Sequence, residues 1–116
     1  MVAGDYVPER GELVWLSFDP QAGHEQAGRR PAVVVSPRAY NEKSGLALVC
    51  PVTRKSKGYP FEVALPEGGE VTGVVLADQV RAVGWRARRA QASSKIPAAV
   101  LSELVDKLCL LIAEYP

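Results

Sequence analysis

Arginine and lysine are the residues of this chain whose grouping suggests that they bind a ligand. They gather in three short stretches, residues 29–30, 54–57 and 81–95, and the last contains five bases but neither Asp nor Glu. Arginine suits phosphate because its planar guanidinium stays charged and can donate two parallel hydrogen bonds. If the fold joins these stretches, one face attracts phosphate although the net charge is only +1. The alternative is that scattered bases simply keep the surface soluble.

Other residues with obvious chemistry are sparse. The motifs GxxxxGK[ST], GxSxG, HExxH and GxGxxG are all absent from the sequence. The single histidine, His24, excludes a ribonuclease built on two histidines, and a lone loop histidine is more often a solvated bystander. Cys50 and Cys109 lie in apolar runs without metal-ligand spacing, so we expect buried free thiols, with a disulfide as the alternative.

Short apolar runs separated by Gly and Pro must position these groups, a pattern typical of a small β-barrel or sandwich. The first run, Glu12–Phe18, is apolar on both faces, so we expect a central strand that is covered on both sides. Asp19-Pro20 ends it, and a polar loop, Gln21–Arg30, follows. Further strands are predicted at Pro31–Val35, Leu46–Val52, Phe61–Leu65, Gly73–Ala77 and Gln79–Trp85, with turns at Lys55–Pro60 and Pro66–Glu70.

Two helices complete the predicted fold. Ser36-Pro37 is expected to be the N-cap and first turn of a short helix that ends near Gly45. Pro97 is expected at the first position of a C-terminal amphipathic helix, whose apolar stripe consists of Val100, Leu101, Leu104, Val105, Leu108, Leu111 and Ile112. The sequence therefore predicts a mainly β or α+β domain, a barrel of five to six strands closed by this helix.

The length of 116 residues, with 47% apolar residues, indicates one domain spanning residues 1–116. A chain of this size buries roughly two-thirds of its unfolded surface, enough for a core without disulfides. The opening residues MVAGDYVPER contain no apolar stretch, and no run approaches the length of a membrane span. We therefore expect no signal peptide, no membrane partner and a cytoplasmic location.

An ordered set of motifs runs through almost the whole chain. Residues 23–37 read GHEQAGRRPAVVVSP, followed by YN at 40–41, PVT at 51–53, SKGYPFEV at 56–63, ADQV at 77–80 and WRAR at 85–88. In this set the chain closely resembles the MazF (PemK-like) family, in which a strand ending in Asp-Pro leads into Glu-Gln-Ala-Gly-x-Arg-Pro-Ala-Val-Val.

The resemblance implies an SH3-like β-barrel and a homodimer. It also implies a toxin that cleaves single-stranded RNA, usually mRNA, at short sequence motifs without a cofactor or metal. Cleavage would leave 2′,3′-cyclic phosphate and 5′-hydroxyl ends, inhibiting translation and growth. The toxin would be held inactive by a cognate MazE-like antitoxin, whose disordered segment occupies the RNA groove.

The family's catalytic pair, an arginine before proline and a threonine after a strand, falls on Arg30 and Thr53. The guanidinium is too weak an acid to serve as a free base at neutral pH. We expect Arg30 to stabilise charge in the transition state and Thr53 to position the scissile phosphate through its hydroxyl. Glu25 is the best candidate for the base that accepts the proton of the ribose 2′-OH. Without the motif, Arg30 would be explained as part of a surface salt bridge. Thr53 would be explained as a β-branched residue that fills the end of a strand.

Recognition of single-stranded bases would come from loops and aromatic stacking. The predicted RNA-binding residues are His24, Gln26, Arg29, Arg54, Lys57, Tyr59, Asp78, Gln79 and Arg86. Trp15, Phe18 and Trp85 are expected instead in the core or the dimer interface.

Two other functions remain open. Relatives with the same barrel poison DNA gyrase by binding it, through a particular C-terminal helix end of which Glu114-Tyr115-Pro116 gives no sign. The third reading is a non-catalytic SH3-like binding module. It predicts no growth arrest on expression and no groove that binds phosphate.

Overall fold

The computed structural model describes residues 6–18 and 28–114. Within these residues the chain forms seven strands and two α-helices. In chain order they are β1 (Glu12–Ser17), β2 (Arg29–Val34), α1 (Arg38–Ser44), β3 (Leu46–Thr53), β4 (Glu62–Ala64), β5 (Val74–Leu76), a 3₁₀ turn (Ala77–Gln79), β6 (Arg81–Gly84), β7 (Gln91–Lys95), α2 (Ala98–Cys109) and a π-helical turn (Leu110–Glu114). In the described part of the chain, no helix is long and apolar enough to cross a membrane.

The strands form one antiparallel sheet in the order β4-β5-β3-β2-β1-β7, with β6 also paired to β3. Strand β3 is the hub: it pairs with β2, with β6 through its first half and with β5 through Val52 and Thr53. The antiparallel sheet with a C-terminal helix confirms the predicted α+β class. Among the described residues β4 and β7 end the sheet without pairing to each other, so closure into an SH3-like barrel stays a prediction.

Strand β1 is covered on both faces, as its sequence predicts. Leu13 joins the hydrophobic cluster that α2 closes with Leu104 and Leu108. Val14 and Leu16 face the opposite way, into a second cluster that contains Trp85. Successive side chains of β1 therefore point into two different hydrophobic clusters, and β1 and its neighbour β2 lie between them.

Strand β7 (Gln91–Lys95) was not predicted, because QASSK is polar and mostly exposed and carries no apolar alternation. It forms because β1 has a second edge whose backbone groups need partners, and β7 supplies them from Glu12↔Lys95 to Trp15↔Gln91. Strand β2 likewise starts at Arg29, two residues before its predicted start, through backbone pairing to Ser17 and Leu16.

The short helix α1 lies where predicted, but Ser36 does not cap it. The helix begins at Arg38, with Pro37 at the N-cap and no side-chain capping bond. The Ser36 hydroxyl instead donates to the Asn41 side chain and accepts the backbone N–H of Leu48, which ties α1 to β3. Gly45 ends α1 at φ +75°, a left-handed conformation that favours glycine.

The C-terminal helix α2 begins one residue later than predicted, with Pro97 at its N-cap. Leu104 and Leu108 of the predicted stripe are buried, whereas Ile112 at its end is 78% exposed. Cys50 is a buried free thiol as predicted, but the prediction for Cys109 was wrong, because Cys109 faces outward on α2 and is exposed. The end of the apolar stripe therefore lies on the surface of this protomer.

Candidate nucleic-acid interface

Arg30 and Thr53 come together on neighbouring strands. Strands β2 and β3 pair antiparallel with Ala32 opposite Pro51. The pairing of the two strands ends there, and two residues beyond it on the two strands lie Arg30 and Thr53, which both line one open pocket of about 690 Å³. Arg30 is exposed, so its guanidinium is free to meet a ligand from solvent. The predicted catalytic pair thus shares a single surface.

The position of Thr53 is fixed by a close backbone approach. Gly73, next to β5, has φ +119°, and a Cβ at this position would lie 2.2 Å from the Thr53 carbonyl oxygen. Only glycine fits there without a shift of the backbone. The Thr53 hydroxyl oxygen accepts the backbone N–H of Lys55 at 3.2 Å, which leaves its hydroxyl proton to donate to a ligand.

Thr53 also lies at the junction of three adjoining pockets, which together we call the groove. The central pocket of about 690 Å³ is flanked by one of about 370 Å³, the Arg54 pocket, and one of about 290 Å³, the Tyr59 pocket. Thr53 lines all three, and Arg30 lines the first two. The groove therefore extends to both sides of the Arg30–Thr53 pair, as an extended polymer requires.

The central pocket is strongly basic. Among the described residues that line it are Arg30, Arg81 and Arg88 but neither Asp nor Glu. The ring of Phe18 lies beside two of these guanidiniums, 5.2 Å from that of Arg81 and 4.9 Å from that of Arg88. Such cation–π contacts hold the two charges at the pocket wall. A phosphate that entered would meet positive charge with no acidic competitor on these walls.

Phe18, Arg81 and Arg88 are absent from the predicted RNA-binding set. Phe18 was expected in the core or dimer interface, and it does pack against the second cluster while also lining the central pocket. The sequence feature that could have indicated Arg81 and Arg88 is the stretch 81–95, which contains no acidic residue. A run of basic residues does not, however, show which of them face a pocket.

The Arg54 pocket receives Arg29 and Arg54, yet Arg29 is occupied by bonds within the protein. Its guanidinium donates to Ser17 Oγ and to the Arg89 carbonyl, both at 2.8 Å, and to Gln91 Oε1 at 3.1 Å. These bonds tie β1 and β2 to the turn before β7. Arg29 therefore has a positioning role besides any contact with a ligand.

The Tyr59 pocket gathers four of the predicted RNA-binding residues. Lys57, Tyr59, Asp78 and Gln79 all line it, and Gln79 also reaches the central pocket. Tyr59 is 59% exposed, with the Lys57 ammonium 5.9 Å from its ring centroid. An open aromatic face beside amide and carboxylate groups can stack on one base and hydrogen-bond to its edge.

The remaining predicted residues are not brought into the groove by the described part of the chain. The Arg86 guanidinium stacks 4.3 Å from the Trp85 ring, and Arg86 is not among the described residues that line the three pockets. His24, Glu25 and Gln26 lie outside the described residues. Within residues 6–18 and 28–114, no group of three or more His, Cys, Asp or Glu side chains is arranged to hold a metal ion.

Comparison with known proteins shows the family of the chain. The family model of the PemK-like, MazF-like toxins of type II toxin–antitoxin systems matches residues 9–112. The endoribonuclease toxin MazF of Escherichia coli K12 is 51% identical over 107 residues, which cover 92% of this chain and 96% of that protein.

Two crystal structures from Deinococcus radiodurans share the fold. A MazE–MazF complex gives a TM-score of 0.84 at 52% identity and covers 94% of this chain and 98% of the matched chain. A structure of MazF alone gives 0.82 at 59% identity and covers 93% and 98%. The match is thus close in sequence and in structure along nearly the full length of both compared chains. The chain belongs to the PemK-like, MazF-like family of toxins of type II toxin–antitoxin systems.

Proposed function

We propose that this protein is an endoribonuclease toxin that cleaves single-stranded RNA, chiefly mRNA, at a short sequence motif. The observation that carries the proposal is that Arg30 and Thr53 line one basic pocket in the middle of an open groove. The names of the curated relatives, endoribonucleases over most of this chain's length, support the same reaction. Because mRNA is translated in the cytoplasm, the protein would act there, as a single catalytic domain.

The proposed reaction is an internal transfer at one phosphodiester. The ribose 2′-oxygen attacks phosphorus and forms a P–O2′ bond, while the P–O5′ bond breaks. The products are a 2′,3′-cyclic phosphate and a 5′-hydroxyl end. Glu25 accepts the 2′-OH proton, Arg30 stabilises the charge on the pentacoordinate phosphorus, and the Thr53 hydroxyl donates a hydrogen bond to a phosphate oxygen. The departing O5′ takes a proton from solvent and becomes the 5′-hydroxyl.

The groove suits a single strand better than a duplex. An unpaired base exposes both its face and its edge, and the Tyr59 pocket offers a partner for each. In a duplex the same faces are stacked and the same edges are paired. The Arg54 pocket, on the other side of Arg30, would take the neighbouring nucleotide.

A MazE-like antitoxin is the proposed inhibitor, and the Deinococcus MazE–MazF complex supports such a partner. A segment that fills the groove would compete with RNA for Arg30 and Thr53. Acidic side chains on this segment would match the three arginines of the central pocket.

A second copy of the chain is the proposed homodimer partner. A shallow depression of about 340 Å³ lies between the β3–β6 surface and α2, and we call it the apolar patch. Its apolar lining consists of Val35, Leu48, Val80, Ala82, Val105, Leu108, Cys109 and Ile112. Because Arg81 lines both this patch and the central pocket, a second copy seated here would adjoin the groove. Exposed apolar surface of this kind marks protein interfaces.

The function is tested by incubating the purified protein with a mixed pool of single-stranded RNA in excess EDTA. We expect cuts at a recurrent short motif and 5′-hydroxyl ends, both detected by sequencing those ends. A gyrase poison or a non-catalytic module would leave the RNA intact. Cleavage that appears only on addition of a divalent metal would contradict the metal-independent reaction.

A further inference from the structure

The loop that carries Lys57 and Tyr59 is organised around one carboxylate. Glu62, the first residue of β4, accepts the Ser56 hydroxyl at 2.7 Å, the backbone N–H of Lys57 at 2.9 Å and the backbone N–H of Gly58 at 3.1 Å. Successive N–H groups that converge on an anion form a nest. Here the anion is the Glu62 side chain, which closes residues 55–60 from the start of β4. We call these residues the Glu62 loop.

The backbone of the Glu62 loop is shaped for this contact. Gly58, whose N–H is one of the donors to this carboxylate, has φ +74°, in the left-handed region that favours glycine. The hydrogen bonds to Lys57 and Ser56 hold the pKa of the Glu62 carboxyl below its usual value, so it stays ionised at neutral pH.

Glu62 is itself anchored from behind. The Lys107 ammonium on α2 donates to the Glu62 backbone carbonyl at 2.9 Å and pairs with Glu103 at 3.1 Å. Strand β4 also pairs with β5, which is joined to the 3₁₀ turn that carries Asp78 and Gln79. The backbone of Glu62 is therefore anchored to α2 and, through β5, to the turn whose Asp78 and Gln79 also line the Tyr59 pocket.

We propose that Glu62 is a positioning residue whose carboxylate holds the Lys57–Tyr59 segment in its RNA-reading conformation before the substrate arrives. The inference rests on the proposed endoribonuclease function and assigns the Tyr59 pocket to the choice of base beside the cleaved bond. Without the carboxylate, RNA binding must order Lys57 and Tyr59 itself, and that ordering weakens binding. The Arg30–Thr53 pair would still act on whatever RNA is bound.

The direct test is the Glu62→Gln variant, assayed on a short cognate RNA and on RNAs with each alternative base beside the cut. Glutamine keeps the shape but offers one acceptor oxygen, and it turns an NH₂ toward groups that are themselves donors. We expect KM for the cognate RNA to rise about tenfold, the size expected for two side chains that must be ordered on binding, with kcat within about twofold. Discrimination between bases should fall by a similar factor.

Glu67→Gln removes the same charge from the β4–β5 turn, outside the three pockets, and should leave KM and base preference unchanged. A second pair of variants separates the effect of the loop's conformation from the effect of a general loss of stability. Gly58→Ala and Gly45→Ala place alanine at φ +74° and +75° with nothing within 4 Å, so their backbone strain is matched. Only Gly58→Ala should raise KM and relax base preference.

The outcomes separate this inference from the proposed function. A wild-type protein that does not cleave RNA would refute the function itself. A cleaving wild type whose Glu62→Gln variant keeps its KM and base preference, or loses only kcat, would refute the positioning role alone. Equal effects of Gly58→Ala and Gly45→Ala would also refute it.

Discussion

Two adjacent arginines illustrate how residues of one type divide their work. The Arg29 guanidinium donates hydrogen bonds to Ser17, Arg89 and Gln91, whereas Arg30 lines the central pocket. The sequence motif pointed to Arg30 and also placed Arg29 in the binding set. It could not show that Arg29 ties three segments together, because its partners lie up to 62 residues away in the chain.

Arg29→Ala should therefore destabilise the fold, whereas Arg30→Ala should not. We expect a loss of about 1 kcal/mol in the free energy of unfolding for Arg29→Ala, after discounting its exposed bonds for solvent. For Arg30→Ala we expect a change within about 0.5 kcal/mol, as for other surface positions. Urea unfolding followed by circular dichroism measures both, and equal stability of the two variants would count against the structural tie at Arg29.

Among the secondary-structure elements, the hydrophobic pattern of the sequence predicted the strands and helices in which buried and exposed residues alternate. Strand β1 and helix α2 follow their apolar periods, and the bounds of β1 and the start of α2 were predicted to within one residue. Strand β7 was missed, because its stability comes from backbone pairing to β1 rather than from its own side chains. The same holds for the groove: the sequence predicted the Arg30–Thr53 pair, but the contribution of Phe18, Arg81 and Arg88 depends on tertiary packing.

The close approach of Gly73, next to β5, to Thr53 at the end of β3 predicts the effect of a substitution at Gly73. Gly73→Ala would place a Cβ 2.2 Å from the Thr53 carbonyl oxygen at φ +119°. We expect a loss of more than about 2 kcal/mol of stability together with weaker cleavage, since Thr53 must shift.

Gly68→Ala is the matched control for that substitution. Gly68 has φ +90° but nothing within 4 Å of the added Cβ, so it carries the strain without the clash. It should lose only about 1 kcal/mol and keep its cleavage rate. Similar losses in both variants would show that the close approach to Thr53 contributes nothing beyond backbone strain.

At the scale of the whole molecule, the apolar patch predicts the assembly. Ile112 is 78% exposed and lines the patch together with Cys109. Ile112→Asp should convert a dimer into a monomer, because association would bury the new charge without a partner. Light scattering after size-exclusion chromatography would show the change, and a dimeric Ile112→Asp protein would contradict the assignment of the patch.

The two thiols report on the same assembly. Burial raises the pKa of the Cys50 thiol to about 12, so Cys50 should stay unreactive toward thiol reagents until the protein unfolds. Cys109 should react readily in the Ile112→Asp monomer and slowly in the dimer, where the partner covers it. Equal labelling of Cys109 in both proteins would place it outside the interface.

If the Arg30 guanidinium and the Thr53 hydroxyl act together on an RNA phosphodiester, removal of either should slow single-turnover cleavage of a cognate RNA in EDTA. Loss of one such group commonly costs about a hundredfold in rate. We predict at least that loss for Arg30→Ala and for Thr53→Val, which keeps the side-chain shape, with melting temperatures near that of the wild type. A folded Arg30→Ala protein that cleaves within a few-fold of the wild-type rate would show that this guanidinium takes no part in the reaction.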